Sequence, residues 1–421
     1  MNTHNKKVSG DLFYNYISVA VTAICGAIFS IIIGYYYDVA VLGRFYTIYA
    51  YYIILSQFCV CGVHMAIVKY AAEEQDSEYG LGLLFKSVAV CIISSSIIIV
   101  PGAIVTNLCL INTLNRSMVT SINTIWGALF FFSINKVFLG WLNGHSKMKA
   151  YAFFQASRNL FIATSLLVFA FFGLSGEMLT YCFLISEIML SFLGVLFLMI
   201  KHERLHFSNS TASMKSLAWF GLRILPSNTV LELNTKIDVI CLSFILQDER
   251  LVGIYSFAAM FGEGFYQLFV VIRKIINPRI TRQRFSHTLK FFIIDFKAKY
   301  LMRIYLGFSI AGAILAGGFV ILVHIIDKND YMSGLEIMTI LCIAMIINSK
   351  SIVFGNILSQ TGFPFDESVL NVATTASNGI LNIILILRFN IIGSALATGL
   401  SYFVFSIILK YQVKRKLGIS L

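Results

Sequence analysis

Charged residues and prolines are both scarce in this sequence. Only 12% of its 421 residues are charged and only four are proline, whereas soluble domains carry about 25% charge. Hydrophobic residues make up 58% of the chain, and the mean hydropathy is +0.82. This composition excludes a soluble globular protein and indicates a chain that crosses a membrane several times.

The sequence also lacks the motifs of several enzyme and metal-site classes. It contains no phosphate-binding loop of the Walker type, no HExxH zinc motif and no dinucleotide-binding fingerprint. Its eight cysteines are scattered, and the pair Cys59 and Cys61 does not have the spacing of a zinc or redox site. We therefore predict no catalytic residues, no metal site and no cofactor.

Apolar runs of 18 or more residues recur along the chain without the alternation of barrel strands, so an all-α integral membrane protein is predicted. The first run is expected to remain in the protein as a helix, because no small-residue cleavage site follows it. Twelve helices are expected, at about Leu12–Ile33, Phe45–Val68, Phe85–Val105, Met118–Leu139, Tyr151–Phe172, Met178–Ile200, Leu217–Leu246, Gly253–Asn277, Tyr300–Ile325, Leu335–Ile357, Ser368–Leu387 and Gly393–Lys410.

Lysine and arginine are distributed unequally between the two sides of the predicted membrane. If the N-terminus is cytoplasmic, most of the 32 basic residues fall in cytoplasmic segments. This positive-inside pattern predicts that both termini are cytoplasmic. It also accounts for the net charge of +12, so no nucleic-acid partner is predicted.

The two halves of the chain share a short pattern at an offset of 210 residues. DVAVLGRF at Asp38–Phe45 aligns with DERLVGIY at Asp248–Tyr255, which matches Asp38 with Asp248 and Gly43 with Gly253. Six helices per half is an even number, so the halves enter the membrane in the same sense, as a parallel repeat. We predict two six-helix lobes, residues 1–205 and 206–421, that face one another around a central cleft.

Charges within the predicted spans mark candidate functional residues, because a charge at mid-membrane costs about 2.5–3.5 kcal/mol even on the lenient insertion scale. The seventh run, Leu217–Leu246, holds four such residues. We predict that a cationic cleft for an anionic substrate is lined by Arg158, Arg223, Lys236, Lys350 and Lys136. An alternative for Lys136 is that its side chain extends to the cytoplasmic face from near its helix end.

Four acids within the spans are candidates for coupling to an ion gradient: Glu232, Glu263, Asp238 and Glu187. Glu263 and Glu232 are the first candidates. Glu263 and Glu187 are expected near mid-membrane, where a carboxyl without a partner charge binds a proton readily. Glu232 precedes Lys236 by one helical turn, an order that favours an ion pair, whereas Asp238 points to another helix or to the outer rim. The alternative role for these acids is structural, in interhelical hydrogen bonds or ion pairs.

Several short segments follow one another in a recognisable order: LGRFY at Leu42–Tyr46, Trp219–Pro226 followed by Asp238, LVGIYS at Leu251–Ser256, Asn277-Pro278, NGILN at Asn378–Asn382 and IGSALAT at Ile392–Thr398. In this order the chain resembles the polysaccharide-export flippases, including O-antigen flippases, of the superfamily that also contains the multidrug and toxin extruders. The resemblance covers the C-terminal half, and the N-terminal half agrees in helix count and loop length.

The resemblance implies a MATE-like carrier, not an enzyme, in the bacterial inner membrane. Such a carrier moves an undecaprenyl-diphosphate-linked oligosaccharide from the cytoplasmic to the periplasmic leaflet by alternating access, driven by a proton or sodium gradient. A polysaccharide polymerase and a chain-length regulator are expected partners, together with membrane lipids. A drug extruder of the same fold remains an alternative and would have a more acidic lumen. A membrane sugar polymerase is disfavoured by the short outer loops.

Overall fold

The computed structural model describes residues 2–73, 80–110, 116–201, 212–283, 288–419 and 421, almost all of them helical. The α-helices are α1 Asn2–Tyr36, α2 Val39–Val60, α3 Val63–Glu73, α4 Leu81–Val105, α5 Arg116–Gly144, α6 Met148–Phe171, α7 Tyr181–Ile200, α8 Met214–Leu246, α9 Glu249–Gln283, α10 Thr288–Ile326, α11 Gly334–Ile347, α12 Ser349–Val353, α13 Ile357–Gln360 and α14 Pro364–Leu417. A π-helical turn, Thr106–Leu110, extends α4, and 3-10 turns at Gly176–Thr180 and Asn329–Ser333 precede α7 and α11.

Nine helical segments of the described ranges are long and apolar enough to cross a membrane. One of them is α14, whose backbone leaves the helical conformation at Asn390, where φ is 51°. The Ser394 hydroxyl donates to Asn382 Oδ1 at 2.7 Å, although twelve residues of straight helix would separate them by about 18 Å. The chain therefore folds back at Asn390, and the two arms correspond to the predicted eleventh and twelfth helices.

The all-α membrane fold is confirmed. The predicted first and seventh runs correspond to α1 and to the charge-rich α8. Neither is among the nine apolar segments of the described residues. The count of twelve spans and the cytoplasmic position of the termini stay predictions.

The predicted second run, Phe45–Val68, is wrong as a single helix. The helix begins earlier, at Val39, and breaks at Cys61 and Gly62, which adopt positive φ values of 49° and 68°. A Cβ atom on Gly62 would collide with the Gly221 carbonyl oxygen of α8. Glycine therefore meets two demands at this break, the left-handed backbone and the close approach of a second helix.

The predicted tenth run, Leu335–Ile357, is also wrong as a single helix, because it consists of α11, α12 and α13. α11 ends at Ile347, and the side-chain Nδ2 of the next residue, Asn348, donates to the Ala344 carbonyl at 2.9 Å. The polar segment that contains Lys350 thus lies where the helix is interrupted.

The described chain divides into two compact units. The first comprises Met1–Tyr37 and Ile48–Glu232. In it α1 packs along α6, and α5 packs against α3, α4 and α7. Trp141 of α5 is fully buried. Its indole Nε1 donates to the Gly80 carbonyl at 3.1 Å, and its ring stacks on Phe138 with centroids 5.8 Å apart.

The second unit comprises Asp38–Thr47 and Leu233–Leu421. α9, α11 and α14 pack together in it. Phe257, Phe319 and Tyr331 are fully buried at its core. The predicted lobe boundary at 205/206 lies outside the described residues, and the lobes stay a prediction. The division between the units instead falls within α2 and within α8.

The two repeated segments begin their helices at equivalent residues. The Val39 amide donates to Asp38 Oδ1 at 2.8 Å, and Asp248 Oδ1 accepts from the Arg250 amide at 2.9 Å and the Leu251 amide at 3.3 Å. Each aspartate thus satisfies amides that the first helical turn leaves without partners. This agreement supports the offset of 210 residues inferred from the sequence.

The repeated segments also contact one another within the second unit. A Cβ atom on Gly43 would collide with the Glu249 carbonyl oxygen, and one on Gly253 would collide with the Val39 carbonyl oxygen. At the offset of 210 residues, Glu249 is the counterpart of Val39, so the contact is reciprocal. Only glycine on both helices allows this approach.

Candidate functional site

Three of the predicted site residues come together in the first unit around Glu187. This carboxylate is completely buried on α7. Arg158 of α6 forms an ion pair with it, with Nε 2.8 Å from Oε1, and Nη2 donates to Oε2 at 3.4 Å. Lys136 and Arg158 both lie over the Phe132 ring, at 5.8 and 4.4 Å from its centroid. The negative charge of Glu187 is therefore neutralised by Arg158, which the sequence analysis predicted to bind the substrate.

Neutral side chains complete the contacts of Glu187. Tyr52 donates its hydroxyl to Oε1 at 3.1 Å, and Asn135 donates Nδ2 to Oε2 at 2.8 Å. Ser191 in turn donates to Asn135 Oδ1 at 2.9 Å, which fixes the orientation of that amide. Side chains from four helices meet at this buried carboxylate. This arrangement is the one expected if Glu187 serves to hold helices together through hydrogen bonds and an ion pair.

A second acid-centred cluster lies in the second unit around Asp238 of α8. Its carboxylate accepts four hydrogen bonds, all from uncharged donors. These are the Tyr255 hydroxyl at 2.8 Å, Asn378 Nδ2 at 3.2 Å, Asn382 Nδ2 at 3.0 Å and the Thr398 hydroxyl at 2.7 Å. The prediction that Asp238 points to another helix is confirmed, because its donors come from α9 and from both arms of α14.

Lys236, two residues before Asp238 on α8, pairs with Glu263 of α9, with Nζ 3.4 Å from Oε1. The Glu263 side chain is 64% exposed, whereas that of Lys236 is 16% exposed. The expectation that Glu263 is a buried carboxyl without a partner is therefore wrong. Its neighbour Gly264 faces open space, because a Cβ atom there would meet nothing within 4 Å.

Three predicted residues remain, and one of them, Glu232, is close enough to Lys136 of the first cluster to interact with it electrostatically. Arg223 is exposed on α8 and lies 4.8 Å from the centroid of the Trp219 ring. Glu232 is half-buried on α8, and Lys350 is half-buried in the short helix α12. The substrate and coupling roles of all nine residues stay predictions.

Arg273 of α9 is a residue that the sequence analysis did not select. Its Nε donates to the Ile352 carbonyl at 2.9 Å, Nη1 to Asn356 Oδ1 at 3.3 Å and Nη2 to the Tyr266 hydroxyl at 3.0 Å. The Ile352 carbonyl also accepts from the Gly355 amide at 3.2 Å, so the guanidinium adds a second hydrogen bond at the end of α12. Arg273 therefore holds the interrupted helix that carries Lys350, and no sequence motif indicates this contact.

A bidentate ion pair accompanies the glycine contact between α2 and α9. Arg44 donates Nε to Glu249 Oε1 at 3.0 Å and Nη2 to Oε2 at 2.9 Å. Two parallel bonds of this kind are stronger and more specific than a single contact. The pair was not predicted, because Arg44 and Glu249 both fall between the helices expected from the sequence.

Comparison with known proteins agrees with this fold. The chain matches the family model described as polysaccharide biosynthesis protein over residues 9–283. No curated protein sequence matches it. Among solved structures, it is similar to the lipid II flippase MurJ in an inward closed conformation, with 17% identity, coverage of 96% of this chain and 87% of that chain, and a TM-score of 0.75.

A second similar structure is an inward-facing multidrug resistance MATE family transporter of the MOP superfamily, with 13% identity, coverage of 94% of each chain and a TM-score of 0.75. Identities this low show the fold alone, which is that of these multi-pass transporters. The family match extends over well over half of the chain. This chain therefore belongs to the polysaccharide biosynthesis protein family.

Proposed function

We propose that this protein is a flippase of the bacterial inner membrane. It moves an undecaprenyl-diphosphate-linked oligosaccharide, such as an O-antigen repeat unit, from the cytoplasmic to the periplasmic leaflet by alternating access. The observation that carries the proposal is the family match over residues 9–283. The fold shared with a lipid II flippase supports a lipid-linked substrate. A polysaccharide polymerase and a chain-length regulator would act on the exported unit.

Deletion of the gene tests this proposal. We expect the deletion strain to accumulate the undecaprenyl-linked unit with its glycan accessible only from the cytoplasmic side, and to lose the surface polysaccharide. The wild-type gene on a plasmid restores both. A deletion strain with normal surface polysaccharide and increased sensitivity to small toxic molecules would instead establish the drug extruder of the same fold.

The cations within the spans supply contacts for the diphosphate head group. Lys236 is paired with a carboxylate that is largely exposed, so an incoming anion can reach this pair. Lys350 lies at the interrupted helix that Arg273 holds in place. Charged hydrogen bonds of this kind contribute about 1.5–3 kcal/mol each, which is enough for two lysines to decide whether a diphosphate binds.

Replacing both lysines, Lys236→Gln with Lys350→Gln, is expected to reduce export by roughly tenfold or more, because two head-group contacts are lost. Surface polysaccharide in the complemented deletion strain is the measurement. Lys410→Gln with Lys414→Gln, which changes two exposed lysines of α14, is the matched control and should leave export unchanged. Wild-type export by the first variant would contradict the assignment.

Asp238 is the best-supported of the four proposed coupling acids. All four of its hydrogen-bond donors are uncharged, so proton or sodium binding would change the net charge of the cluster. Glu187 and Glu263, in contrast, each have a basic partner. We infer that Asp238 binds the driving ion and that occupancy of this cluster biases the alternating-access transition. The hydroxyl oxygens of Thr398 and Tyr255, which lie 2.7 and 2.8 Å from the Asp238 carboxylate, would serve as further oxygen ligands for sodium.

Asp238→Asn tests this coupling, since the amide keeps the size of the side chain and removes its charge. In proteoliposomes, we expect transport by this variant to be no faster with an imposed sodium or proton gradient than without one. Glu263→Gln is the control and should keep the stimulation. Full stimulation of the Asp238→Asn variant by either gradient would contradict the role of Asp238 and leave the flippase proposal intact.

A further inference from the structure

A groove between α6 and α7 lies within the first unit, apart from the two acid-centred clusters. It has a volume of about 610 Å³, within the range of roughly 300–1,000 Å³ common for ligand pockets. Large apolar side chains form most of its walls, among them Phe153, Phe154, Leu193, Leu196, Phe197 and Ile200. The apolar part of a ligand could therefore bind in this groove without a rearrangement of the helices.

The bottom of this groove is packed and its edges are open. Phe154 is only 2% exposed and meets Phe197 edge to face, with ring centroids 5.7 Å apart. Phe153 and Ile200 are 59% and 68% exposed. The floor of the groove is therefore well packed, and its edges are accessible from outside the protein. A binding site for a membrane lipid requires this access.

Three lysines line one end of the groove. Lys147 and Lys149 lie at the start of α6, and Lys201 directly follows α7. No acidic side chain is among the described residues of the lining. The distribution of basic residues predicts that these helix ends are cytoplasmic. The lysines therefore present positive charge at the level where lipid head groups lie.

We propose that this groove binds an anionic glycerophospholipid, with one acyl chain along the apolar walls and the phosphate among the three lysines. Basic pockets between transmembrane helices on the cytoplasmic side bind anionic head groups. Leu193 to Ile200 rise about 10 Å along α7, a third of a hydrocarbon core of about 30 Å. The groove thus stays within one leaflet, which suits an acyl chain better than a polyprenyl chain.

Native mass spectrometry of the full-length protein, released from nanodiscs containing phosphatidylglycerol and phosphatidylcholine, tests this site. We expect the wild-type protein to retain phosphatidylglycerol in preference to phosphatidylcholine. Lys147→Gln, Lys149→Gln and Lys201→Gln together should weaken its retention by roughly tenfold or more, because three head-group contacts are lost. Phe153→Ala with Ile200→Ala should also weaken it severalfold, because the acyl chain loses exposed apolar contacts.

Two matched variants control for general effects. Lys410→Gln, Lys414→Gln and Arg415→Gln remove the same charge from exposed positions of α14 outside the groove. Phe171→Ala with Phe172→Ala removes exposed rings from the opposite end of α6. Both should retain phosphatidylglycerol like the wild type. Equal losses in groove and control variants, equal retention of the two phospholipids, or displacement of phosphatidylglycerol by equimolar undecaprenyl phosphate would each overturn the proposal.

Discussion

Glu187→Ala is expected to destabilise the protein by about 3–5 kcal/mol, the usual cost of breaking a buried ion pair from one side. The substitution leaves the Arg158 guanidinium, 15% exposed, without its carboxylate. Tyr52 and Asn135 also lose an acceptor. In detergent micelles, the apparent melting temperature should fall by at least about 5 °C, and export in the complemented deletion strain should be lost.

Two variants make this expectation specific. Glu177→Ala removes an equal charge from an exposed position and should change stability by less than about 0.5 kcal/mol. Arg158→Met combined with Glu187→Met removes both charges and should recover much of the stability lost in Glu187→Ala, since well-packed apolar residues often replace buried ion pairs at little cost. Wild-type stability of Glu187→Ala would show that the ion pair does not hold these helices together.

Gly253→Ala is expected to cost about 3 kcal/mol or more, the upper end of the costs of overpacking. The new methyl group would collide with the Val39 carbonyl and approach the Gly43 amide, and neither backbone atom can move without displacing a helix. The separation of α2 from α9 would also disrupt the Arg44–Glu249 ion pair. Thermal stability in micelles and export in the complemented strain are the measurements.

The matched control for this substitution is in the same helix. A methyl group at Gly264 would meet nothing within 4 Å, so Gly264→Ala should be neutral or stabilise α9 by up to about 1 kcal/mol through the higher helix propensity of alanine. If Gly253→Ala and Gly264→Ala were equally stable, the close contact between the two repeated segments would not be required.

Much of the fold could be predicted from the sequence, because apolar length and charge placement respond to the membrane along the chain itself. The offset that matches Asp38 with Asp248 was likewise visible, since each aspartate serves its own helix start. The breaks at Gly62 and Asn348 were not predictable from hydropathy. The segment around Gly62 is mainly apolar, and the polar residues 348–351 can also be accommodated in a continuous helix. The backbone at each break is determined by packing against other helices.

The candidate site was predictable in its residue types and not in its pairings. Arg158 and Glu187 were selected separately because each carries a charge within a span, yet their ion pair depends on how α6 and α7 rotate against one another. The spacing of Glu232 and Lys236 suggests a local pair, but it gives no indication that Lys236 also contacts Glu263, 27 positions further along. Such partners depend on tertiary packing, which a single sequence does not specify.

The reciprocal contact of Gly43 and Gly253 has an evolutionary consequence. In a two-fold symmetric homodimer, residue i of one subunit contacts residue j of the other, and residue j contacts residue i. The glycines and their partners, Glu249 and Val39, satisfy this relation across the offset of 210 residues. An ancestor with one copy of this segment would therefore have had a self-complementary surface, and gene duplication followed by fusion would have made that dimer interface a contact within one chain.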